Sequence, residues 1–588
     1  MIRYDFRLLT RSLVSNANRF LHLGLGALLV GGCAQQTVAA KYGIVLPQSS
    51  AARDLTADQQ VKQALARLTF GARPDEISRI GPDGLDRWLL SQLEPEKTND
   101  FSCDSLLSTF STQHMTVKEL ADSFPSQDIF IRELRRQRGL APNASFVLSA
   151  DDSARMKSLN DRGNRVAQQI IAAKMTRAIF SERQLLEIMT DFWENHFSVY
   201  YGKMPTRFSL LEYDRDVIRP RALGKFRDLL GAVARSPEML YYLDNWQSQA
   251  DSVHDNLGEL TNLKKAKTEQ DSSRIRAAVL KRRQGLNENY GRELLELHTL
   301  GVDGGYTQQD VINVARALTG WTVDDPRAGG GFVFRPAMHD ASPKLVLGHQ
   351  LPGGRGIEDG EEVLDIVARH PSTARFIARK LVRHLVSDSV PTSLVDRAAA
   401  AFTRTDGDIR QVLATIVTSP EFYSRAAYRA KVKTPFELVV STMRAMDQLP
   451  DTTPRTAQLP SRLGQPVFGR LTPDGWPDDA QEWINSGAIL NRINFGTIAA
   501  NGGLPGVTID RWPPAASLRT APFAEQVDGV IGELLGGEVS PETRSILLSG
   551  INPLAGAMPA SNTADANAPR RLKDLIGLTL GAPEFQRR

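Results

Sequence analysis

Residues 224–240 read GKFRDLLGAVARSPEML, and this stretch decides the fold class. Its apolar residues form a helical run that stops at Ser236-Pro237-Glu238. Proline suits the first position of a new helical turn, the serine before it offers a capping oxygen, and the glutamate faces the positive end of the helix. The same unit recurs as GDIRQVLATIVTSPEFY at 407–423 and as RRLKDLIGLTLGAPEFQ at 570–586. Each copy predicts a helix, a break and a short second helix, with an apolar residue next to pin the corner. The reading is a packing module used three times. The last copy predicts a folded C-terminus.

Helical signals continue on both sides. Ser181-Glu182-Arg183-Gln184 has the form of a capping box, in which the hydroxyl takes a free backbone N–H and Gln184 reaches back. Leu185, Leu186, Met189, Phe192, Trp193 and Phe197 follow at spacings of three and four, a single buried face. Thr307-Gln308-Gln309-Asp310 opens another helix, ended by Gly320, which can take the left-handed conformation. Extended candidates are few: residues 331–335 and 344–348 fit a small hairpin. The fold class is therefore mainly α, a multi-helix, bundle-like assembly with a small β-hairpin near 331–348. Residues 250–284 are charged and poor in apolar content, with basic runs at Lys264-Lys265, Lys267 and Lys281-Arg282-Arg283, and read as a solvated surface insertion. Residues 449–465 and 500–522 read as linkers or long loops. The organisation expected is a leader at 1–32, a tether at 33–55, a helical domain at 56–500 and a helical extension at 501–588 that packs on it.

The leader has the parts of an export signal. Arg3, Arg7, Arg11 and Arg19 form a basic start, and residues 21–30 form an apolar stretch too short to span a bilayer. Val30-Gly31-Gly32-Cys33 then resembles the lipobox of bacterial lipoproteins, with Cys33 as the acylated residue; cleavage after Ala40 in Val38-Ala39-Ala40 is the alternative. Ala34 gives no inner-membrane retention signal, so an outer-membrane anchor facing the periplasm or the cell surface is expected. The leader carries three of the four net positive charges of the 588-residue chain, so the remainder is nearly neutral and nucleic acid is not an expected partner. With Cys33 acylated, Cys103 stands alone and no disulfide is expected.

Four polar clusters are candidates for chemistry. Along 287–301 (NENYGRELLELHTLG), a helix puts Asn289, Arg292, Glu293 and Glu296 on one side and Leu294, Leu297 and Leu300 on another. Three readings stay open for that stripe: a solvated face, a buried network held by Arg292, or a catalytic or metal site. His298 shares a face poorly with either glutamate at α-helical spacing. In Asp191–Phe197, His196 lies with Phe192 and reads as a hydrogen-bonded core histidine, a ligand or a general base. Asp244-Asn245 follows a helix exit and reads first as turn and capping chemistry. His339-Asp340 fits a turn, a metal pair or a proton relay. No Gly-x-Ser-x-Gly, phosphate loop, His-Glu-x-x-His or Cys-x-x-Cys occurs, which disfavours thiolate zinc, covalent haem and P-loop nucleotide; any other cofactor is left open.

Taken together, LARLTFGA (65–72), FWENHF (192–197), RPRALGKFRDLL (219–230), YLDN (242–245), NENYGRELLELHTLG (287–301), GYT (305–307), ARALTGW (315–321), GWP (475–477) and WIN (483–485) resemble the bacterial domain-of-unknown-function 1800 family. The likeness runs from about 60 to about 500, with departures at Trp246 and in the long segment 250–284. It implies a mostly helical, exported protein, often encoded beside an exported family that resembles sulfatases and alkaline phosphatases. It implies no catalytic role for any residue. The family pattern includes Asn195, His196, Asp244, Asn245, Asn289, Arg292, Glu293, Glu296, His298, His339 and Asp340. The expected function is an exported lipoprotein that acts as an accessory or interaction protein of the cell envelope, with the phosphatase-like neighbour as candidate partner. The alternative is an envelope hydrolase, metal-assisted or not, with one site built from His196, Glu293, His298 and His339.

Overall fold

The 224–240 copy of the repeated unit folds as its sequence dictates. Helix Phe226–Ala234 buries Phe226, Leu229, Leu230 and Val233. Ser236 then caps helix Pro237–Tyr242, with its Oγ accepting from Met239 N at 3.2 Å. The other copies keep the first helix, at Ile409–Val417 and Ala568–Gly581, but follow it with turns instead of a second helix. The corner residue is buried each time: Met239, Phe422 and Phe585. The first two copies meet head on. Phe226 N donates to Gly407 O at 2.8 Å and Ile409 N to Gly224 O at 3.0 Å, an antiparallel bridge between the two helix starts.

The computed structural model describes Ile44, Leu46 and Pro47, residues 52–549, 551–552, 556–557 and 568–588, apart from 126, 204–205, 252–253, 255, 281–284, 325–329 and 449–453. The leader, Cys33 and most of the tether lie outside the described residues, as do Lys281, Arg282 and Arg283. From Ile44 onward the chain is one compact unit, mainly α-helical around one large apolar core. Each fully buried aliphatic or aromatic side chain contributes about 1.5–3 kcal/mol to it. No described helix is long and apolar enough to cross a membrane. Both extended segments foreseen in the sequence are strands, each with its own partner: Phe332–Phe334 pairs with Trp321–Val323, and Lys344–Val346 with His349–Leu351. The segment 250–284 carries helices Leu257–Lys265 and Glu269–Leu280. At the C-terminal end, helix Ala568–Gly581 packs on helix Ser486–Ala500 through Gly496 and Gly577.

Three local expectations need correction. Ser181 does not form a capping box. It closes the long helix Ala150–Phe180, and helix Gln184–His196 starts a turn later with no side-chain cap of its own. The Ser181 hydroxyl does take a free backbone N–H, that of Arg183 at 3.0 Å, and Gln184 reaches back to Ser181 O at 2.9 Å, but Asp100 accepts from Glu182 N at 2.8 Å and from the Ser181 hydroxyl at 2.7 Å, and Gln92 Oε1 takes Leu185 N at 3.1 Å. Helix Gln308–Ala317 does have its box, with Thr307 and Asp310, but it ends at Ala317; Gly320 takes φ +78° three residues later, where a Cβ would lie 2.7 Å from Arg335 O. The third correction matters most for function. The segment 287–301 is not one α-helix: helix Glu288–Glu293 passes into a π-helix over Leu294–Thr299, closed by Leu300 N donating to Leu295 O at 2.8 Å. The wider turn rotates the faces, so that Leu295 and His298 are buried while Leu297 is only half-buried. A second π-helix, Tyr213–Ile218, carries Asp214 into the core in the same way.

Candidate functional site

Helix Gln184–His196 and helix Pro371–Leu385 face each other across a cavity of about 310 Å³, closed on a third side by residues 465–478. The first helix turns its Asp191, Glu194, Asn195 and His196 to the cavity; the second turns Arg379, Lys380, Arg383 and His384.

His196 is the pivot. Its Nε2 is 3.1 Å from the carbonyl oxygen of His298, which only accepts, so Nε2 carries the proton. Nδ1 is left as an acceptor, and Lys380 Nζ donates to it at 2.9 Å. Burial, with Lys380 and His298 beside it, holds the imidazole well below the usual histidine range, so it stays neutral. His298 is buried against the Phe197 ring at 5.2 Å, and among the described residues neither of its ring nitrogens has a hydrogen-bond partner. Burial, then Lys380, pushes it down to about 3. The π-turn therefore does two things: it seats the His298 ring in the core and aims the His298 carbonyl at His196.

Lys380 is the half-buried, cavity-facing end of this chain. Burial pushes its ammonium down to about 8; Asp478 and Asp474 oppose that shift and Arg383 adds to it. No carboxylate pairs with it among the described residues, nor with Arg379 or Arg383. The carboxylates of the lining, by contrast, are all taken. Asp191 pairs with Lys174 at 2.6 Å, and Glu194 pairs with the same ammonium. Asp474 pairs with Arg470 at 2.7 Å, Asp478 with Lys431 at 2.7 Å and with His384 at 3.0 Å, and Glu437 with Arg588 at 3.0 Å. The cavity wall thus keeps three cations without paired carboxylates, all from one helix.

Beneath the wall lies a buried ion network. Burial pushes Glu194 up to about 8 despite Lys174, whereas Asp214, which burial would also raise, is held down at about 2 by Arg219 and Arg177. Arg219 spans Asp214 at 2.8 Å and Glu187 at 2.5 Å. Asn195 fixes the opposite rim. Its Oδ1 accepts from Trp476 N at 2.6 Å and its Nδ2 donates to Trp476 O at 2.8 Å. Gly475 is held at φ +75°, and a Cβ there would lie 2.2 Å from Asn195 O, so only glycine fits.

The other sequence candidates are dispersed. Asp244 takes φ +58° at a turn and pairs with Lys203 on the surface at 2.8 Å; Asn245 donates to Leu318 O and Trp321 O at 3.2 and 3.0 Å. Turn and capping chemistry is what these two perform. His339 and Asp340 belong to a separate buried network: His339 Nδ1 donates to Thr319 O at 2.8 Å and its Nε2 lies 3.4 Å from Asp359, while Arg316 forks onto Asp340 at 2.7 and 3.2 Å. Lys344 ties the two carboxyl groups together and holds the paired strands near them. Along the stripe, Asn289 is exposed, and Arg292 bonds Gln308 at 3.1 Å and lies 3.6 Å from Glu288. Of the three readings left open for the stripe, the buried network with Arg292 forked onto Glu293 or Glu296 is not there, because the π-turn leaves that side half-buried or exposed. Glu296 accepts from Tyr306 at 3.4 Å, and burial together with Glu296 pushes half-buried Glu293 upward. His196 and His298 come together; His339 stays apart. Among the described residues no three His, Cys, Asp or Glu side chains converge to hold a metal ion. Cys103 is a buried free thiol, pushed up to about 12 by burial.

Arg379, Lys380 and Arg383 were not singled out in the sequence, although a signal was present. Residues 371–385 (PSTARFIARKLVRHL) contain four Arg or Lys and no carboxylate, so no i,i+4 partner exists within the helix.

No curated protein and no solved structure gives a match to this chain. The motifs that meet at the cavity, FWENHF with GWP and with the His298 turn, are those on which the family resemblance stood, and the match now runs well past residue 500: the family model described as "Protein of unknown function (DUF1800)" covers residues 63–587, and the chain belongs to that family.

Proposed function

We propose that this is an exported, envelope-anchored protein that captures a small anionic ligand in the cavity around Lys380. The observation that carries the reading is the charge inventory of the wall: its carboxylates are paired, whereas Arg379, Lys380 and Arg383 are not paired with any. Lys380 and Arg383 are half-buried, while Arg379 stands exposed at the mouth of the same wall. A half-buried cation with no paired carboxylate is costly, and an anion that pairs with it recovers that cost. Arginine and lysine on one rigid helix present forked and point donors together, which suits a carboxylate or phosphate group. Phe376, Phe468 and Trp476 supply apolar walls for the rest of a ligand.

The basic start, the short apolar stretch and the Cys33 motif support export and lipid anchoring. An accessory role beside a phosphatase- or sulfatase-like partner belongs to the same proposal, since such enzymes act on anionic esters. A hydrolase built from His196, Glu293, His298 and His339 finds less support, because Asp359 and Thr319 hold His339 elsewhere.

The test is calorimetric titration of the purified protein, in buffer free of other multivalent anions, with inorganic phosphate and with oxalate. Saturable binding that weakens in Lys380→Met and Arg383→Gln is the expected result. A wild-type protein that binds neither anion, or variants that bind as well as it does, overturns the reading.

A further inference from the structure

Lys380 has features that an anion anchor alone does not require. A residue meant only to attract charge works best as a fully solvated ammonium or as an arginine. Here the amine is drawn into the cavity wall, and its one hydrogen bond goes to a ring nitrogen that cannot be protonated at ordinary pH. That geometry also suits the neutral amine. One N–H stays on His196 Nδ1, which fixes the rotation about the Cε–Nζ bond and leaves the nitrogen lone pair free to face the cavity. The His298 carbonyl locks the imidazole tautomer that makes this arrangement possible. Arg383, one helical turn away on the same helix, and Arg379 both line the cavity with Lys380. Neighbouring cations and burial are the two conditions that turn a lysine into a nucleophile toward carbonyl carbon.

We propose that Lys380 forms a reversible imine with the carbonyl carbon of a small 2-oxo acid, or a similar anionic aldehyde, whose carboxylate is held by Arg383 and Arg379. This deepens the anion-pocket reading and rests on it. The steps balance without any further reagent. The ammonium first gives a proton to solvent. The lone pair of Nζ adds to the carbonyl carbon, a C–N bond forms, and the π pair moves to oxygen. A proton passes from nitrogen to that oxygen to give the carbinolamine. Protonation of the hydroxyl then lets water leave as the nitrogen lone pair closes the C=N bond. Addition of water reverses the sequence and restores the amine and the carbonyl compound.

The experiment uses the full mature chain, glyoxylate as the anionic probe and sodium cyanoborohydride to reduce any imine to a stable secondary amine. Digestion and mass spectrometry then locate the adduct on the wild-type protein, so site assignment does not depend on the folding of a variant. The expected result is preferential modification of Lys380, lost in Lys380→Arg, suppressed by inorganic phosphate, and slowed by Arg383→Gln for glyoxylate but not for uncharged propanal. Modification scattered over surface lysines, or unaffected by phosphate, overturns the inference. Retained phosphate binding in calorimetry would then leave the anion pocket standing without its covalent chemistry, whereas loss of both removes the pocket reading as well.

Discussion

Asn195 grips the backbone of Trp476 through the two peptide groups that flank it, with its Oδ1 taking the N–H at 2.6 Å and its Nδ2 donating to the carbonyl at 2.8 Å. Two motifs separated by 281 residues are thereby one device, a helix end that sets the position of a cavity rim. Each such bond contributes about 0.5–1.5 kcal/mol net. Asn195→Ala is expected to lower stability by about 1–3 kcal/mol in chemical denaturation and to hasten proteolysis within 469–478. Gly475→Ala should do the same by strain, since its φ is +75° and the added carbon has no room. Unchanged cleavage and an unchanged midpoint in both variants would show that the rim is held by something else.

Anion affinity should depend on pH through Lys380. The groups that face it are His196 and His298 from one side, Arg383 on its own helix, and Asp474 and Asp478 from the loop. The histidines are held below their usual range and both aspartates are held low by their cation partners, whereas Glu194, across the cavity and also pushed up to about 8, loses its proton in the same window. Lys380 sits at about 8 in the empty pocket, so binding of an anion that needs the ammonium is level below that pH. Above it, affinity declines by up to about tenfold per pH unit until the bound-state value is passed. Titrations of oxalate at pH 7 and above check this, because both of its carboxylates stay ionised throughout that range. Lys380→Arg should remove the share of the decline that belongs to Lys380, because guanidinium stays charged, and Glu194→Gln the share that belongs to Glu194; a decline unchanged in Lys380→Arg assigns the titration to another group.

The mainly α fold was legible because repeated apolar periodicity and Ser-Pro-Glu breaks act locally, and residues 226–242 fold as such a pattern dictates. His196 and Asn195 were legible as candidates because a polar pair stands among Phe192, Trp193 and Phe197. What escaped was register and pairing. Nothing in 287–301 signals where an α-helix widens to a π-turn, and that single widening decides that His298 is buried instead of Leu297. Likewise Asp100 caps a helix some eighty residues on, which no local pattern around Ser181 encodes. Arg379, Lys380 and Arg383 looked like an ordinary basic face, and only the tertiary accounting of carboxylates shows them unpaired.

The Lys174 ammonium is the counter-case to Lys380. It is buried between Asp191 and Glu194, and although burial would lower it, those two carboxylates hold it above its usual range. Its removal leaves Glu194 in the core beside Asp214 with no cation of its own. Lys174→Met is expected to cost about 3–5 kcal/mol, the loss typical of a broken buried pair. The double variant Lys174→Met with Glu194→Gln should recover part of it, since the amide replaces a carboxyl group that has lost its cation and can donate toward Asp214 in its place. Denaturant midpoints of the two variants decide the matter: a cost under about 1 kcal/mol, the range of exposed pairs, would mean that the network is solvated.

Glu293 bears on the polar stripe directly. A buried structural network would make it stabilising, but the structure leaves it half-buried, with burial first and then Glu296 and Asp474 raising its pKa and Arg292 opposing them. A carboxyl group whose folded-state pKa is raised binds more protons folded than unfolded, so its contribution to stability falls as pH climbs through the window above the unfolded value of about 4.3. Glu293→Gln removes that penalty. The expected result is a melting midpoint at pH 7 equal to or above that of the parent, with a gain near the 0.2–0.5 kcal/mol of an i,i+3 like-charge pair, about the size seen on exposed helices. The gain should vanish when the comparison is repeated below about pH 4, where both states are protonated. A clear loss of stability at pH 7 would instead mean that Glu293 has a partner on which the fold relies.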